Sequence, residues 1–281
     1  MTVPAGPGAG SAARPVPRLY AYGLLMRAAV KSQLQYRGNL LFGLAGGAAF
    51  QGVGLAFIWV VATRFGAVGG WSMTEICLLY GMRLTSHGLW VVPGNQLYFL
   101  DVTIQTGEFD RYLVRPTGVL PQLLARGIHL PVFGDLVTGL VILTGAAWQL
   151  GVPHSAAGVL YLVLALVGGA MVEGAFQIGI SAMCFRTLSN RSLRVLVDSV
   201  MNSFGGYPLK VFPGPARFVL TFLVPVAFVA YLPAGVLLGR AGDLHVPLWA
   251  ACAAPGAGPL LLWLAHRLWR AQSAHYSSSG T

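Results

Sequence analysis

Five ionisable side chains lie inside the long apolar runs of this 281-residue sequence: Arg83, His87, Asp135, Glu173 and Asp198. A charge within a membrane-buried helix costs roughly 2.5–3.5 kcal/mol on insertion scales, so such residues pair with one another or serve a function. Arg83 and His87 are four residues apart and share one face of a helix. These residue types allow an ion pair inside a helix bundle, a polar wall for a solute path, or a proton relay.

Depth counting at about 1.5 Å per residue places Glu173 near the middle of its run and Arg83 in the outer half of its own. Two interpretations of these residues are open: an Arg83–Glu173 bridge that holds the bundle together, and a polar wall of the cargo path. Asp198 follows Arg194 by four residues, which predicts a local ion pair. A proton relay is favoured least, because the carboxylates are few and dispersed.

No catalytic motif accompanies these residues. The two lysines, Lys31 and Lys210, do not follow a glycine, which excludes a GxxxxGK[ST] phosphate-binding loop. The sequence contains neither HExxH nor GxSxG, and its six histidines lack ligand spacing, so no metal site is predicted. We therefore expect a protein that is not an enzyme and holds no cofactor. Energy for pumping would come from a partner subunit or an ion gradient.

The composition is that of an integral membrane protein. Hydrophobic residues make up 56% of the chain and charged residues 9%, and the mean hydropathy is +0.68. A soluble domain of this length needs more polar surface. The net charge of +10 does not indicate nucleic acid, because the basic residues lie at the ends of apolar runs, where anionic lipid headgroups attract them.

The apolar runs predict an all-α integral membrane protein with six transmembrane helices, at about 40–62, 76–98, 128–150, 157–185, 193–207 and 246–268. Residues 1–18 are rich in Gly, Ala and Pro and predict a disordered tail. Residues 19–37 mix apolar and basic side chains, which is typical of an interfacial helix. One transmembrane domain over 19–270 and a short tail over 271–281 complete the predicted organisation.

The basic residues also predict the orientation. Thirteen of the 18 precede the first run, follow the last, or lie between the second and third or the fourth and fifth. Basic loops stay in the cytoplasm, so both termini are predicted to be cytoplasmic in a multi-pass protein. The fifth run then starts inside and the last run ends inside. The Pro-broken stretch 208–240 must cross an even number of times or not at all, which predicts a re-entrant pair of short helices dipping in from outside, with Pro225 near the bend.

Two segments resemble a known family. The segment 107-GEFDRYLVRPTGVLPQLLARG-127 and the segment 207-YPLKVFPGPARFVLTFLVPVAFVAYLPAGVLLG-239 are similar to stretches of the permease subunits of type-2 ABC transporters, in an exporter-type subfamily of bacteria with GExDxYLxRP and YP…P…YxP…LLG stretches. The resemblance covers most of the chain. It implies a permease in the bacterial cytoplasmic (inner) membrane that works with a second, identical or similar permease subunit and with a cytoplasmic ATPase that binds ATP and Mg²⁺.

The resemblance also assigns roles to residues. A cytoplasmic coupling helix that docks on the ATPase would comprise Gly107, Glu108, Phe109, Asp110, Arg111, Tyr112, Arg115 and Pro116. An outer gate would comprise Tyr207, Pro208, Pro225, Tyr231 and Pro233. A short amphipathic helix with an aromatic face and exposed charges is suited to filling a groove on a partner and passing on its motion.

Several alternatives stay open. The 107–116 segment could instead anchor its loop at the membrane surface, and the whole chain could be a gradient-driven carrier or a scaffold that transports nothing. The lack of a carboxylate cluster and of a broken helix in each half argues against the carrier. The cargo of an exporter could be a drug, a natural product, or a sugar-containing or lipid-like small molecule, and no residue pattern decides among them.

Overall fold

The computed structural model describes residues 37–276, apart from positions 66, 116–117, 127–132 and 188, together with positions 23, 27, 31 and 35. Within this part of the chain the structure is helical, with one isolated bridge between Val68 and Trp71. The all-helical prediction is therefore confirmed for the described residues. The predicted tail at 1–18, most of the predicted interfacial helix at 19–37, Pro116 and the end of the tail predicted at 271–281 lie outside them.

From Arg37 onwards, the described residues of the first half form two long α-helices followed by three short ones. They are α1 (Arg37–Phe65), α2 (Met73–Gly94), α3 (Leu100–Gln105), α4 (Asp110–Leu113) and α5 (Val119–Arg126). A capping box starts α2: the Ser72 hydroxyl accepts from the Glu75 N–H, and the Glu75 carboxylate accepts from the Ser72 N–H. These reciprocal bonds satisfy two N–H groups that would otherwise lack partners.

The longest of the described helices lies in the second half, together with a series of short ones. The helices are α6 (Phe133–Leu150), α7 (Ala156–Thr187), α8 (Arg191–Phe204), α9 (Gly214–Phe218), α10 (Leu232–Leu237), α11 (Leu248–Cys252) and α12 (Ala254–Ser273). Gly151 has a φ of +65° in the tight turn between α6 and α7, a conformation that glycine adopts without strain.

Among the described helices, α6 and α7 are long and apolar enough to cross a membrane. The 32 residues of α7 extend about 48 Å, more than the ~30 Å of a bilayer's hydrocarbon layer. In contrast, α8 has 14 residues, about 21 Å, and is amphipathic rather than apolar. The protein is thus a membrane protein with two or three clear candidate spans, and the count of six spans stays a prediction.

The bend predicted in the Pro-broken stretch is present in the structure. Residues 214–223 and 227–237 form two helical pieces that meet at 81°, and Pro225 lies in the break between them. Each piece includes a π-helical turn, Val219–Leu223 in the first and Ala227–Tyr231 in the second. The geometry fits either a re-entrant pair or one broken span.

Small residues bring the long helices into close contact. A Cβ at Gly81 of α2 would lie 2.6 Å from the backbone nitrogen of Leu143 in α6. A Cβ at Gly258 of α12 would lie 2.3 Å from the carbonyl oxygen of Gly168 in α7. No water is released when helices associate within a membrane, so their association depends on close van der Waals packing of this kind. Glycine at these positions therefore fixes where the helices cross.

Two apolar cores lie towards opposite ends of α2, whose 22 residues extend about 33 Å. The first core includes Trp71, just before α2, and Tyr231 of the Pro-broken stretch. The second includes Phe109 of the segment after α3, together with Phe185 and Trp269 near the ends of α7 and α12. The bundle consequently has one end that carries the 107–115 segment and another that carries the Pro-broken stretch.

Candidate functional site

A cluster of buried polar side chains joins α2, α7 and α8. Glu173 in the middle of α7 lies 2.7 Å from Nδ1 of His87 and 3.9 Å from Nε of Arg83, both on α2. The Arg83 and Glu173 side chains are only 4% and 6% exposed. Buried charges of this kind are stable only when each has its countercharge nearby. We call Arg83, His87, Glu173, Gln177 and Asp198 the central polar cluster.

On the α8 side of the central polar cluster, the ion pair predicted between Arg194 and Asp198 is replaced by other contacts. The Gln177 amide donates to Asp198 at 2.5 Å, so Asp198 is linked to α7. Arg194 donates instead to the carbonyl oxygen of Tyr98 and lies 5.7 Å from the centre of that ring. Arg194 is thus turned towards the segment after α2 rather than along its own helix.

A small cavity of about 10 Å³ lies within the central polar cluster and is also lined by Phe176, Met201 and Asn202. This volume suits roughly one water molecule and no larger solute. The guanidinium of Arg83 and the side-chain oxygens of Glu173 and Gln177 include atoms without a hydrogen-bond partner among the described residues. The hydrogen bonds and the ion pair of the cluster can therefore join three helices reversibly. The cavity is too small to enclose a cargo in this conformation.

Asp135, which the sequence analysis grouped with Arg83, His87 and Glu173, bonds into a separate network. Its carboxylate accepts from the Gln51 amide at 2.9 Å, and the Tyr80 hydroxyl donates to Gln51 at 2.6 Å. This chain of bonds links α1, α2 and α6. Sequence reasoning overlooked Gln51, although a glutamine in an otherwise apolar run of membrane length is a signal that could have identified it.

The 107–115 turn is built into the end of the bundle through its aromatic residues. Gly107 has a φ of +71°, which reverses the chain after α3. Phe109 is fully buried, with ring-centre distances of 5.2 Å to Phe185 and 4.6 Å to Tyr276. The Tyr276 hydroxyl donates to the Asp110 carboxylate at 2.9 Å. The turn is thereby fastened to the ends of α7 and α12.

The opposite side of the same turn is exposed. Glu108, Arg111, Leu113, Val114 and Arg115 all face away from the bundle, and Val114 is 84% exposed. Tyr112 is buried like Phe109, so the aromatic face that the sequence predicts is covered by the chain's own residues. The surface that a partner could reach therefore consists of the charged side chains of Glu108, Arg111 and Arg115 and the aliphatic side chains of Leu113 and Val114.

At the other end, a charged clasp of Glu75, Lys210, Arg240 and Asp243 ties the Pro-broken stretch to α2. Arg240 makes two bonds to Glu75, at 2.6 and 2.8 Å, and a third to Asp243 at 3.1 Å. Lys210 bonds to Asp243 at 2.6 Å. Sequence reasoning did not identify this clasp, although the Ser72-x-x-Glu75 capping signature was visible.

Among the residues predicted as a gate, Tyr231 contacts the clasp directly. Tyr231 is buried against Trp71, and its hydroxyl donates to the Asp243 carbonyl at 2.8 Å. Tyr207 and Pro208 follow the end of α8, and Pro233 lies in the first turn of α10. With Pro225 at the bend, these five residues all lie on the Pro-broken part of the bundle.

A family model described as ABC-2 family transporter protein matches residues 48–280, which include all the sites described above. The chain belongs to the ABC-2 transporter family. No curated protein and no solved structure matches the chain. Membership makes this ABC-2 protein a subunit for membrane transport, of a kind that is generally non-catalytic and associates with an ABC ATPase. The coarse form of the resemblance is thereby confirmed, whereas the subfamily and its motifs stay a prediction.

The charged clasp gives the ABC-2 protein a predicted acid limit. The hydrogen bond from Lys210 lowers the pKa of Asp243 below its ordinary value of 3.8. A lowered pKa in the folded state means that the stabilising effect is present above the unfolded pKa and is lost as the pH falls through the folded one. In thermal unfolding in detergent, the stabilisation by Asp243 should therefore be fully present and constant between pH 7 and 5, and should be lost below about pH 4.

The matched comparison is Asp243→Asn, which should remove part of the acid-dependent fall in the melting temperature. Glu108→Gln, at the other end of the bundle, should leave that fall unchanged. If Asp243→Asn unfolds with the same acid dependence as the unaltered protein, the clasp does not contribute to the stability.

Proposed function

We propose that this chain is the membrane-spanning subunit of an ATP-driven exporter. It pairs with a second permease subunit, identical or similar, and each permease binds a cytoplasmic ATPase that holds ATP and Mg²⁺. The observation that carries the proposal is the 107–115 turn, which is fixed to two long helices on one side and presents Glu108, Arg111 and Arg115 on the other. A scaffold or a gradient-driven carrier has no need for such an element.

The turn provides a direct mechanical route into the membrane. A force on its exposed face passes through Phe109 to Phe185 at the end of α7 and to Tyr276 just beyond α12. Phe185 also contacts Trp269 of α12 at 5.2 Å, so the two helix ends move as one body. Closely packed side chains transmit such displacement because protein interiors are nearly incompressible.

Movement of α7 would act on the central polar cluster. Glu173 lies three helical turns from Phe185 on the same helix, and Gln177 of α7 holds Asp198 of α8. Hydrogen-bonded charges have a few discrete arrangements rather than a continuous range, so α8 separates from α7 in a switch-like step. The path for a cargo would open at this separation.

The remaining features of the proposal come from the sequence. The apolar runs support six spans, and the resemblance supports a bacterial inner membrane. The distribution of basic residues supports cytoplasmic termini, which puts the 107–115 turn on the ATPase side. The Pro-broken stretch, with its charged clasp, would then close the outer exit. The cargo would be a drug, a natural product, or a sugar-containing or lipid-like small molecule.

The test is ATPase turnover after reconstitution in lipid with the ATPase encoded beside this chain. Glu108→Ala and Arg111→Ala remove exposed charges without touching the buried core, and we expect each to lower the permease-dependent part of turnover about tenfold, the effect of losing roughly 1.4 kcal/mol. Asp110→Ala is unsuitable because Asp110 also binds Tyr276.

Arg270→Ala is the matched control, because Arg270 is an exposed arginine at the same end, on α12. It should leave turnover unchanged. If the ATPase does not co-purify with the chain, or if neither Glu108→Ala nor Arg111→Ala lowers turnover relative to Arg270→Ala, the proposed coupling is wrong and a gradient-driven carrier becomes the better interpretation.

A further inference from the structure

An apolar cleft opens between α2, α7 and α12. It has a volume of about 260 Å³ and is lined by Leu89, Trp90, Val167, Ala170, Met171 and Leu262. No charged side chain contributes to this lining. An apolar cavity of about 150 Å³ accepts benzene, so the volume here suffices for a substantial length of hydrocarbon chain.

The cleft is a consequence of how α7 and α12 cross. The two helices run parallel and touch through their backbones at Gly168 and Gly258, and they meet again where Phe185 contacts Trp269. The cleft lies beside the glycine crossing: Val167, Ala170 and Met171 are next to Gly168 along α7, and Leu262 is one turn after Gly258 on α12. The helix crossing therefore fixes the gap, and collapse of one side chain would not close it.

Trp90 forms the rigid back wall. A Cβ at Gly94 would lie 2.7 Å from the indole ring, and a Cβ at Gly174 would lie 2.5 Å from its other edge. The ring is thus held between two glycine backbones and cannot rotate into the cleft. A preformed wall of this kind is typical of a binding site rather than of a packing defect.

The surroundings of the cleft indicate its occupant. Leu89 and Val167 on its rim are 38% and 41% exposed, and the neighbouring exposed side chains on α7 and α12 are apolar too, among them Leu164, Leu260 and Trp263. Because α7 is a candidate membrane span, the medium at this rim is bilayer hydrocarbon. The atoms that line an unfilled groove lack dispersion contacts on that side. A flexible methylene chain in the groove supplies these contacts.

We propose that this cleft is a binding site for one acyl chain of a bilayer phospholipid. The occupant is a lipid chain rather than a water-soluble ligand because both the lining and the rim are apolar and face hydrocarbon. The proposal does not depend on the ATPase coupling, and each can fail without the other.

The first measurement counts the phospholipids retained by the detergent-purified protein, by native mass spectrometry after incubation with palmitoyl-oleoyl phosphatidylethanolamine. Ala170→Phe places a large ring in the cleft and should remove one retained lipid per chain. Val163→Phe adds the same ring on an exposed part of the same helix and should remove none. Equal lipid counts for the two variants would overturn the proposal.

A second measurement keeps the proposal testable if Ala170→Phe fails to fold. The fluorescence of the unaltered protein minus that of Trp90→Phe gives the emission of Trp90. Addition of a phosphatidylcholine brominated on its acyl chain should quench this emission about as strongly as that of the exposed Trp263, although Trp90 is only 8% exposed. Weak quenching of Trp90, or loss of dimers in Ala170→Phe with lipid retained, would overturn the proposal, and the latter would assign the cleft to a second copy of the chain.

Discussion

Replacement of Glu173 by methionine should destabilise the protein by about 3–5 kcal/mol, because it leaves Arg83 buried without its countercharge. Arg83 is buried between α2 and α7, and the Glu173 carboxylate is the acid nearest to it at 3.9 Å. Replacement of the other partner, Arg83→Met, should destabilise the protein by less. The contact between His87 and the Glu173 carboxylate, at 2.7 Å, does not involve Arg83 and is kept in that variant.

The measurement is thermal unfolding of the purified protein in detergent, with the double variant Arg83→Met/Glu173→Met included. Because the double variant leaves neither charge unpaired, it should be more stable than Glu173→Met alone. Glu108→Met, an exposed glutamate, is the control and should change stability by no more than about 0.5 kcal/mol. If Glu173→Met is no less stable than this control, the central polar cluster does not hold the bundle.

Phe109→Ala should cost about 3–5 kcal/mol, the usual loss when a large aromatic side chain is removed from a core. Phe109 is fully buried among Tyr112, Phe185 and Tyr276, so its removal opens a cavity at the end of α7 and α12. The same change should also abolish the permease-dependent ATPase turnover, because the turn would no longer be fixed to the helices.

Val114→Ala provides the comparison on the same turn, because Val114 is 84% exposed. It should leave the melting temperature nearly unchanged. Limited proteolysis with trypsin should then cut the Phe109→Ala protein after Arg111 in the turn faster than it cuts Val114→Ala. Equal proteolysis of the two variants would contradict the proposed force path from the turn to α7.

Sequence reasoning reaches the features that depend on composition and local pattern. The apolar runs indicate membrane helices, the prolines indicate the bend at Pro225, and the scarcity of charges inside the runs draws attention to Arg83 and Glu173. Each of these signals lies within one stretch of chain. An apolar run or a proline restricts its own backbone whatever the rest of the fold does.

Features that depend on long-range contacts are beyond such reasoning. The clasp joins Glu75 to Arg240, which are 165 positions apart, and no local pattern specifies that pairing. The same holds for neutral amides: a glutamine in an apolar run marks a polar position but not its partner, and no local pattern pairs Gln51 with Asp135 or Gln177 with Asp198. The inward orientation of Phe109 likewise depends on Phe185 and Tyr276, which come from remote parts of the chain.

The contacts of Phe109 also set an order of events during synthesis. A ribosome completes the 107–115 turn long before it adds Trp269 and Tyr276, so the nascent chain must carry Phe109 without part of its pocket. The turn acquires its final shape only when the last helix has been inserted. Under the proposed function, unfinished or truncated chains would therefore present an incompletely packed turn to the ATPase, and assembly of the complex would be restricted to permeases whose translation is complete.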